Sequence, residues 1–393
     1  MPLPCDGLRV LEFSHTIMGP CAGMVLADLG ADVIKVEAAP EGDPTRRLPG
    51  FARGFFPYFN RNKRSLAVDL KAPAGLALVR RLARDADIVI ENYAPGTMER
   101  LGVGWETLRA ANQRLVYLAL KGFLSGPYES RPALDEVVQF MSGLAYMTGP
   151  PGQPLRAGAS IVDILGGSYG VIGVLAALRE RERSGRGQLV KASLFESAVL
   201  LMGQHMAGSA ILGTAMPPMP ARRGAWAIYE PFATADGEQV FLAVTSDNHW
   251  RRFCTAFGRS DLLADSRLAS NSTRVEARPW LLPLVADMVR PFAKAALIDI
   301  LEANAIPWAL VARPEDLFED PHLNTGGKLV EVELADGVRA KLPLLPLEFD
   351  GAVLGLRRQA PRLGEHTAEL LAEAKFGSAE IRELAGDGVI VLG

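Results

Sequence analysis

Cysteine is scarce. Only Cys5, Cys21 and Cys254 occur in 393 residues, widely separated and outside any CxxC or mixed Cys/His ligand spacing. That argues against a structural zinc site and for a reducing compartment, so a cytoplasmic location is expected. An excess of one charge is missing too. Forty-two Lys and Arg against 45 Asp and Glu leave a net charge of -3. Neither nucleic acid nor an anionic membrane is therefore expected as a partner, although local basic clusters still suit a small phosphorylated ligand. The opening residues MPLPCDG lack the basic and apolar regions of a signal peptide, and none is expected. Long apolar runs are few. Ile164–Leu178 is too short to span a bilayer and is bounded by Asp163 and the charged run Arg179–Arg183, while Leu194–Pro217 carries Glu196 and His205. Both read as buried helices.

What is present is the composition of an ordinary soluble globular protein: 49% apolar, 22% charged, with 39 Gly and 27 Pro in no repeating pattern. The length favours two domains. Strands are expected at Leu8–Phe13, Asp32–Glu37, Ser65–Leu70, Asp87–Glu91 and Leu115–Leu120, with helices at Pro20–Leu29 and Ala72–Arg84. Such alternation predicts parallel βαβ units and an α/β fold. Helical spacing continues over Leu134–Met147 and from about Asp163 to Arg183, where Ser184–Gly187 stops it, and Gln188–Ser193 returns as a strand. The Pro- and Gly-rich stretch Met216–Gly224 marks a linker. Beyond it, Phe232–Val244 reads as a hairpin around Asp236 and Gly237. The expected division is a large domain over 1–215, a smaller α+β domain over 225–330, and a C-terminal segment, 331–393, returning to the first.

Asp163 stands between Ile161-Val162 and Ile164-Leu165, an apolar setting that is costly for a carboxylate unless it is satisfied. By its context alone it reads as a helix N-cap, a position where the helix N-terminus would stabilise a carboxylate and nearby developing negative charge. Gly166, Gly167, Gly170 and Gly173 lie on or near one face of the helix that follows, which would admit a backbone or a ligand closely and give the site flexibility. A GxGxxG turn is absent after the first strand, where the chain reads Ser14–Pro20 (SHTIMGP), and this rules against a nicotinamide dehydrogenase.

Several stretches share one further pattern. They are Asp6–Phe13 (DGLRVLEF), Gly19-Pro20 with Leu29–Glu37 (LGADVIKVE), Asn60–Ser65 (NRNKRS), and Glu91–Gly96 (ENYAPG) with Arg100–Gly102. Arg131–Ala133 with Met141–Gly143 and the dense run Gly173–Glu196 complete it. In order and spacing the chain resembles the CaiB/BaiF, or class III, CoA-transferase family, which includes formyl-CoA transferase and α-methylacyl-CoA racemase. The resemblance is tight to about residue 200 and looser beyond.

It implies a Rossmann-like large domain built from both chain ends, a small middle domain, and an interlocked homodimer. It also implies that Asp163 is the catalytic carboxylate, carrying CoA as an aspartyl thioester with no metal or permanently bound cofactor. Acyl-CoA and free carboxylates would be the substrates. By the same resemblance CoA would be held by His15, Thr16, Leu70, Lys71, Ala72, Pro73, Asn92, Tyr93 and Arg100. Where transferases often carry arginine after the second strand this chain has Ala38, so Arg46, Arg47 or Arg64 could supply that grip. Arg156, Arg222 and Arg223 are candidates for a second acceptor carboxylate, because arginine offers a bidentate fork. The loosely matching segment Ala225–Phe232 would lie close to the acyl site, and His249 and Trp250 read as structural. A short dicarboxylic acceptor of the itaconate, citramalate or mesaconate type, with succinyl-CoA as donor, is the expected pair. Two rivals remain. A racemase needs a second base where this chain has Leu134, and a non-catalytic acyl-CoA binder gives no reason for Asp163.

Overall fold

In the computed structural model, which describes residues 3–221 and 224–393, the apolar runs of the first half become parallel strands. These are β1 (Arg9–Phe13), β2 (Asp32–Ala38), β3 (Arg64–Val68), β4 (Ile88–Glu91), β5 (Val116–Lys121) and β6 (Leu189–Ser193). They are ordered 3-2-1-4-5-6, and Ile390–Val391 adds an antiparallel edge beside β3. β1 through β5 are buried along almost their whole length because helices cover both faces, so they read as continuous apolar runs without alternation. The order reverses between β1 and β4, and such a reversal opens a crevice at the carboxyl ends of the strands. The expected α/β, Rossmann-like architecture is found.

Helices α1 (Met18–Asp28), α2 (Phe55–Phe59), α3 (Pro73–Ala83), α4 (Thr97–Arg100) and α5 (Trp105–Ala111) separate the early strands. After β5 come α6 (Asp135–Met141), α7 (Leu144–Thr148) and α8 (Ile161–Ser184), and α9 (Leu194–Leu212) follows β6. The continuous helix expected over 134–147 is broken at Ser142 and Gly143. Gly143 sits at φ +87°, a left-handed conformation that glycine adopts without steric cost.

The glycines of α8 serve packing. A Cβ at Gly167 would lie 2.7 Å from the Met18 carbonyl oxygen, and one at Gly170 would lie 2.8 Å from Leu120 Cδ2. They form the seam of α8 with α1 and β5, so of the two approaches expected it is the backbone of α1, at Gly167, that comes close, in a tight helix contact. α8 is long and apolar enough to cross a membrane by length and composition, but this seam gives it partners within the protein. The two apolar stretches are only partly the buried helices expected. Ile172 of α8 is 59% exposed and Ile211 of α9 84%, so each helix leaves an apolar face uncovered in the single chain.

The residues up to Pro220 and Pro321–Gly393 form one unit, and Ala221–Asp320 a second. In the first, the returning tail is pinned by Asn62, whose Oδ1 accepts the amides of Arg357 (2.6 Å) and Arg358 (2.9 Å). The second unit is an antiparallel sheet of β7 (Ile228–Ala233), β8 (Gln239–Val244) and β9 (Trp308–Leu310) packed on helices, with Trp250, Phe253, Leu281 and Leu297 in its core. The buried Trp250 is structural, as read from the sequence, and His249 bonds locally to Thr245 and Ser246.

The α8 seam makes a testable contrast. Gly167→Val drives a branched side chain into α1 backbone and is expected to lower unfolding free energy by about 2–3 kcal/mol. Gly203→Ala on α9 meets open space and should stabilise by about 0.5–1 kcal/mol. Urea unfolding of the two variants measures both.

Candidate active site

The crevice at the switch point is built from short loops. After β1 the chain passes through Ser14, His15 and Thr16 before α1 begins, and Thr16 sits in a left-handed conformation at φ +68°. Asn92, just beyond β4, holds that strained turn in place. Its Oδ1 accepts the His15 amide at 3.0 Å, and its Nδ2 donates to the His15 carbonyl at 2.8 Å. Gly19 is required there, since a Cβ would lie 2.4 Å from Ser14 Cβ. Beside this clamp lies a cavity of about 440 Å³ lined by Ser14, His15, Lys71, Tyr93, Arg47 and the chain from Val36 to Pro44. The His15 and Tyr93 rings stand 5.5 Å apart, and burial holds the imidazole below its ordinary pKa.

Of the residues expected to hold CoA, the structure therefore brings His15, Lys71 and Tyr93 to one cavity, with Thr16 and Asn92 shaping its loop. Leu70, Ala72 and Pro73 form the turn that carries Lys71 into α3, with Ala72 at the N-cap and Pro73 at the first helical position. Arg100 is not brought to the cavity. It is exposed and donates to Thr97 Oγ1 at 2.8 Å within its own short helix. Ala38 lines the cavity, and so does Arg47, which bonds the Glu41 carbonyl. Arg46 is instead locked in a bidentate pair with Glu37 (2.7 and 2.8 Å) over the Phe56 ring. Arg64 is held at the amino ends of the strands by Asp32, Glu369 and Glu373. Neither is free to replace the missing arginine.

Under the clamp lies a fully buried ionic network. Glu12 accepts from Ser14 Oγ (2.6 Å) and pairs with Lys63 (2.7 Å), while Lys35 pairs with Asp43 (2.9 Å) and donates to the Ser14 carbonyl (2.9 Å). Lys63 also donates to the Pro20 carbonyl and to Asn60 Oδ1. The Asn60–Ser65 motif thus supports the loop from below. Burial drives the Lys63 pKa down to about 8 despite the pull of Glu12. It works against the charge of Lys35 as well, but there Glu12, Asp43 and Glu37 outweigh it and the pKa rises.

Asp163 is the third residue of α8, and the N-cap position belongs to Ser160, whose side chain makes no capping bond. The cap reading for Asp163 is therefore wrong, because another residue does that work. Asp135 of α6 reaches across with Oδ2 to accept the amides of Val162 (2.8 Å) and Asp163 (3.0 Å). Gln139, one turn along α6, donates to Asp135 Oδ1 at 2.6 Å. Half-buried burial and then the nearby Asp135 charge push the Asp163 pKa up to about 7. The Asp163 turn stands beside the amino end of α1, since Gly167, one turn further on, abuts the Met18 carbonyl and the Cys21 thiol lies 3.9 Å from the Ile164 carbonyl. It thus adjoins the loop of His15 and Thr16.

Sequence reading did not find Asp135 as the partner of the Asp163 amide, nor Gln139 as the partner of Asp135. Their signal was two polar side chains four apart on the inward face of a short helix, both buried with Val138 between them. Leu134, just before α6, is 69% exposed. Arg156 pairs with Glu136 at 3.1 Å. Arg222 and Arg223 lie outside the described residues. Ala225–Phe232 lies in the second unit, where the Trp226 and Tyr229 rings are 4.9 Å apart. Among the described residues no group of three or more His, Cys, Asp or Glu is placed to hold a metal ion.

A carboxylate pushed up to about 7 at a helix N-terminus, in a unit that also holds a cavity edged by Lys71 and Arg47, suits acyl transfer from a phosphorylated thioester. Comparison with known proteins agrees with that chemistry. Residues 5–367 match the model of CoA-transferase family III. Over 385 residues the chain is 37% identical to the succinate–glutarate CoA-transferase of Agrobacterium fabrum, covering 94% of this chain and 95% of that one. It is 32% identical over 379 residues to the succinyl-CoA–D-citramalate CoA-transferase of Chloroflexus aurantiacus, covering 95% and 94%. A solved CaiB/BaiF family protein from Brucella suis shares the structure with a TM-score of 0.82 at 33% identity, covering 95% of this chain and 100% of that one. The chain belongs to CoA-transferase family III, the CaiB/BaiF family, and is an enzyme of the CoA-transferase class.

The raised Asp163 pKa has two measurable signs. As a nucleophile Asp163 would react in its ionised form, and kcat/KM would then climb roughly tenfold per pH unit below about 7 and level off above it. The folded pKa also exceeds the unfolded one, near 4, so the unfolded state binds fewer protons between them and stability falls as pH rises through that window. Asp163→Ala should therefore raise Tm at pH 8 and change it little at pH 4. A pH-independent effect on Tm would contradict the shift.

Proposed function

We propose that this enzyme transfers CoA from a succinyl-CoA-type donor to a short dicarboxylic acid through a covalent intermediate on Asp163. The observation that carries this reading is the position of Asp163 in the first turn of α8, whose next turn packs on Met18 and Cys21 at the amino end of α1, the helix that follows the clamped His15–Thr16 loop. Its carboxylate attacks the thioester carbonyl, the C–S bond breaks, and a mixed anhydride and CoA thiolate result. The thiolate then attacks the aspartyl carbonyl, which frees the donor acid and leaves an aspartyl-CoA thioester. The acceptor carboxylate repeats the two steps in reverse order and returns Asp163 to its ionised form. One activated acyl bond is exchanged for another at each stage, so no ATP is consumed. Lys71 and Arg47, which edge the cavity, are suited to CoA phosphates.

The acids named for the relatives, glutarate and citramalate, are both dicarboxylic, which supports an acceptor with two carboxylates. Arg156 is suited to the distal one, in exchange for Glu136. The racemase reading lacks support, since Leu134 cannot accept a proton. A pairing of two copies is supported by the uncovered apolar faces of α8 and α9, including Leu200 and Leu212.

Two measurements test the reading. With donor and no acceptor, hydroxylamine should convert the activated carboxyl to a hydroxamate on the peptide containing Asp163, and Asp163→Ala should abolish transfer while acyl-CoA still binds. A panel of acids with succinyl-CoA, read by mass spectrometry, should favour four- to five-carbon dicarboxylates. Label on another carboxylate, or deuterium uptake at the α-carbon without transfer, would overturn the mechanism. Light scattering at nanomolar concentration should give about twice the 42.3 kDa chain mass; a monomer would rule out the pairing.

A further inference from the structure

We propose that Gln139 is a positioning residue for the transfer. Its buried amide fixes the Asp135 carboxylate under the first turn of α8 and ties it to the segment feeding that helix, so that Asp163 meets the thioester in one orientation. The inference rests on the reading of Asp163 as nucleophile.

Gln139 is fully buried, which is costly for an amide unless both of its ends are bonded. Both are. Nε2 donates to Asp135 Oδ1 at 2.6 Å, and Oε1 accepts the Ala157 amide at 2.8 Å. Asp135 then has three donors, one on Oδ1 and two α8 amides on Oδ2. The segment leading into α8 is tied through its backbone at two residues, the Leu155 amide to the Ala145 carbonyl (3.0 Å) and the Ala157 amide to Gln139 (2.8 Å). Only Gly158, Ala159 and Ser160 separate that lacing from the helix. A leucine or methionine at 139 would fill the same space but would leave the Ala157 amide and one oxygen of Asp135 without their partner. Nucleophilic attack depends on alignment to a fraction of an ångström, and Gln139 joins the Asp135 carboxylate under α8 to the segment that feeds that helix.

The amide also sets the charge beside Asp163. Ionisable groups on the other elements packed against α8 are engaged elsewhere or neutral. The Cys21 thiol of α1 is pushed up to about 12, and Asp28, at the far end of α1, pairs with Arg61. Lys121 of β5 pairs with Glu91, Lys191 of β6 with Glu129, and Glu196 of α9 accepts from Ser193 and the Leu124 amide. His205 lies further along α9. Asp135, oriented by Gln139, is left as the charge that acts on the nucleophile.

Two variants test this. Gln139→Met removes both bonds. It should lower kcat about 10- to 100-fold with KM for acyl-CoA changed less than about threefold. Its acid limb should move from the wild-type position, because Asp135, still bonded to the two α8 amides, loses the donor that fixes its Oδ1. Gln139→Glu can donate to Asp135 only while the introduced acid holds its proton. Its profile should be bell-shaped, with near-wild-type rates on the acid side and a fall where the wild-type enzyme stays flat. Thermal melting checks that each variant is folded; if Gln139→Met does not fold, the Gln139→Glu profile decides. Wild-type-shaped profiles in both variants, whether or not kcat or Tm drops, would reduce Gln139 to a structural residue and overturn the inference. Hydroxamate mapping in the wild-type enzyme separates the two levels. Label away from Asp163 overturns the nucleophile itself, whereas label on Asp163 with unshifted profiles overturns the role of Gln139 alone.

Discussion

The carboxylate of Asp135, bonded to the first amides of α8, is the interaction on which the site depends. Helix N-termini leave amides without partners, and here the partner comes from a different helix. The same contact brings a second carboxylate close to Asp163 and removes the need for Asp163 to cap its own helix. Asp163 is thereby left with its oxygens uncommitted and its pKa pushed up to about 7. A nucleophile spent on capping amides would be well satisfied and poorly reactive. Division of labour between two acids solves that conflict.

A parallel division runs under the neighbouring cavity. Glu12, Lys35, Asp43 and Lys63 are buried together beneath the His15 loop. Buried ion pairs often give little net stability, because desolvation offsets the attraction. What this one gives is geometry. It links the carboxyl ends of β1 and β2 to the loop before β3, so the strained turn at Thr16 rests on a rigid base and is closed from above by Asn92. Arg46 and Arg64, candidates for a ligand contact in the sequence, prove to be internal ties, as do Lys35 and Lys63. The cations left to face the cavity are Lys71 and Arg47.

How much of this was legible follows from the range of each interaction. Strands β1 to β6 and helix α8 were readable, because local apolar runs and turn residues define them. The break at Gly143 was not, since helical spacing persists on both sides and only the backbone angle reveals it. Asp163 stood out by its apolar neighbours. Its partner Asp135 lies 28 residues away and becomes a neighbour only when α6 and α8 pack. Arg100 failed as a cavity residue for a related reason. A motif fixes a side chain's position along the chain, whereas its direction depends on the short helix that carries it, and α4 turns this one back onto Thr97.

The first unit is assembled from the two ends of the chain. Its edge strand, Ile390–Val391, pairs with Ala67 and Val68 of β3, and Arg357 and Arg358 bond to Asn62 just before that strand. A chain leaving the ribosome makes β3 early and its neighbour very late. Through that interval β3 is an open sheet edge, a template for pairing with other chains. The contiguous second unit, Ala221–Asp320, can complete itself meanwhile. Newly made chains are thus most exposed to aggregation in the larger unit, which carries the candidate site, and they close it only once the last residues emerge.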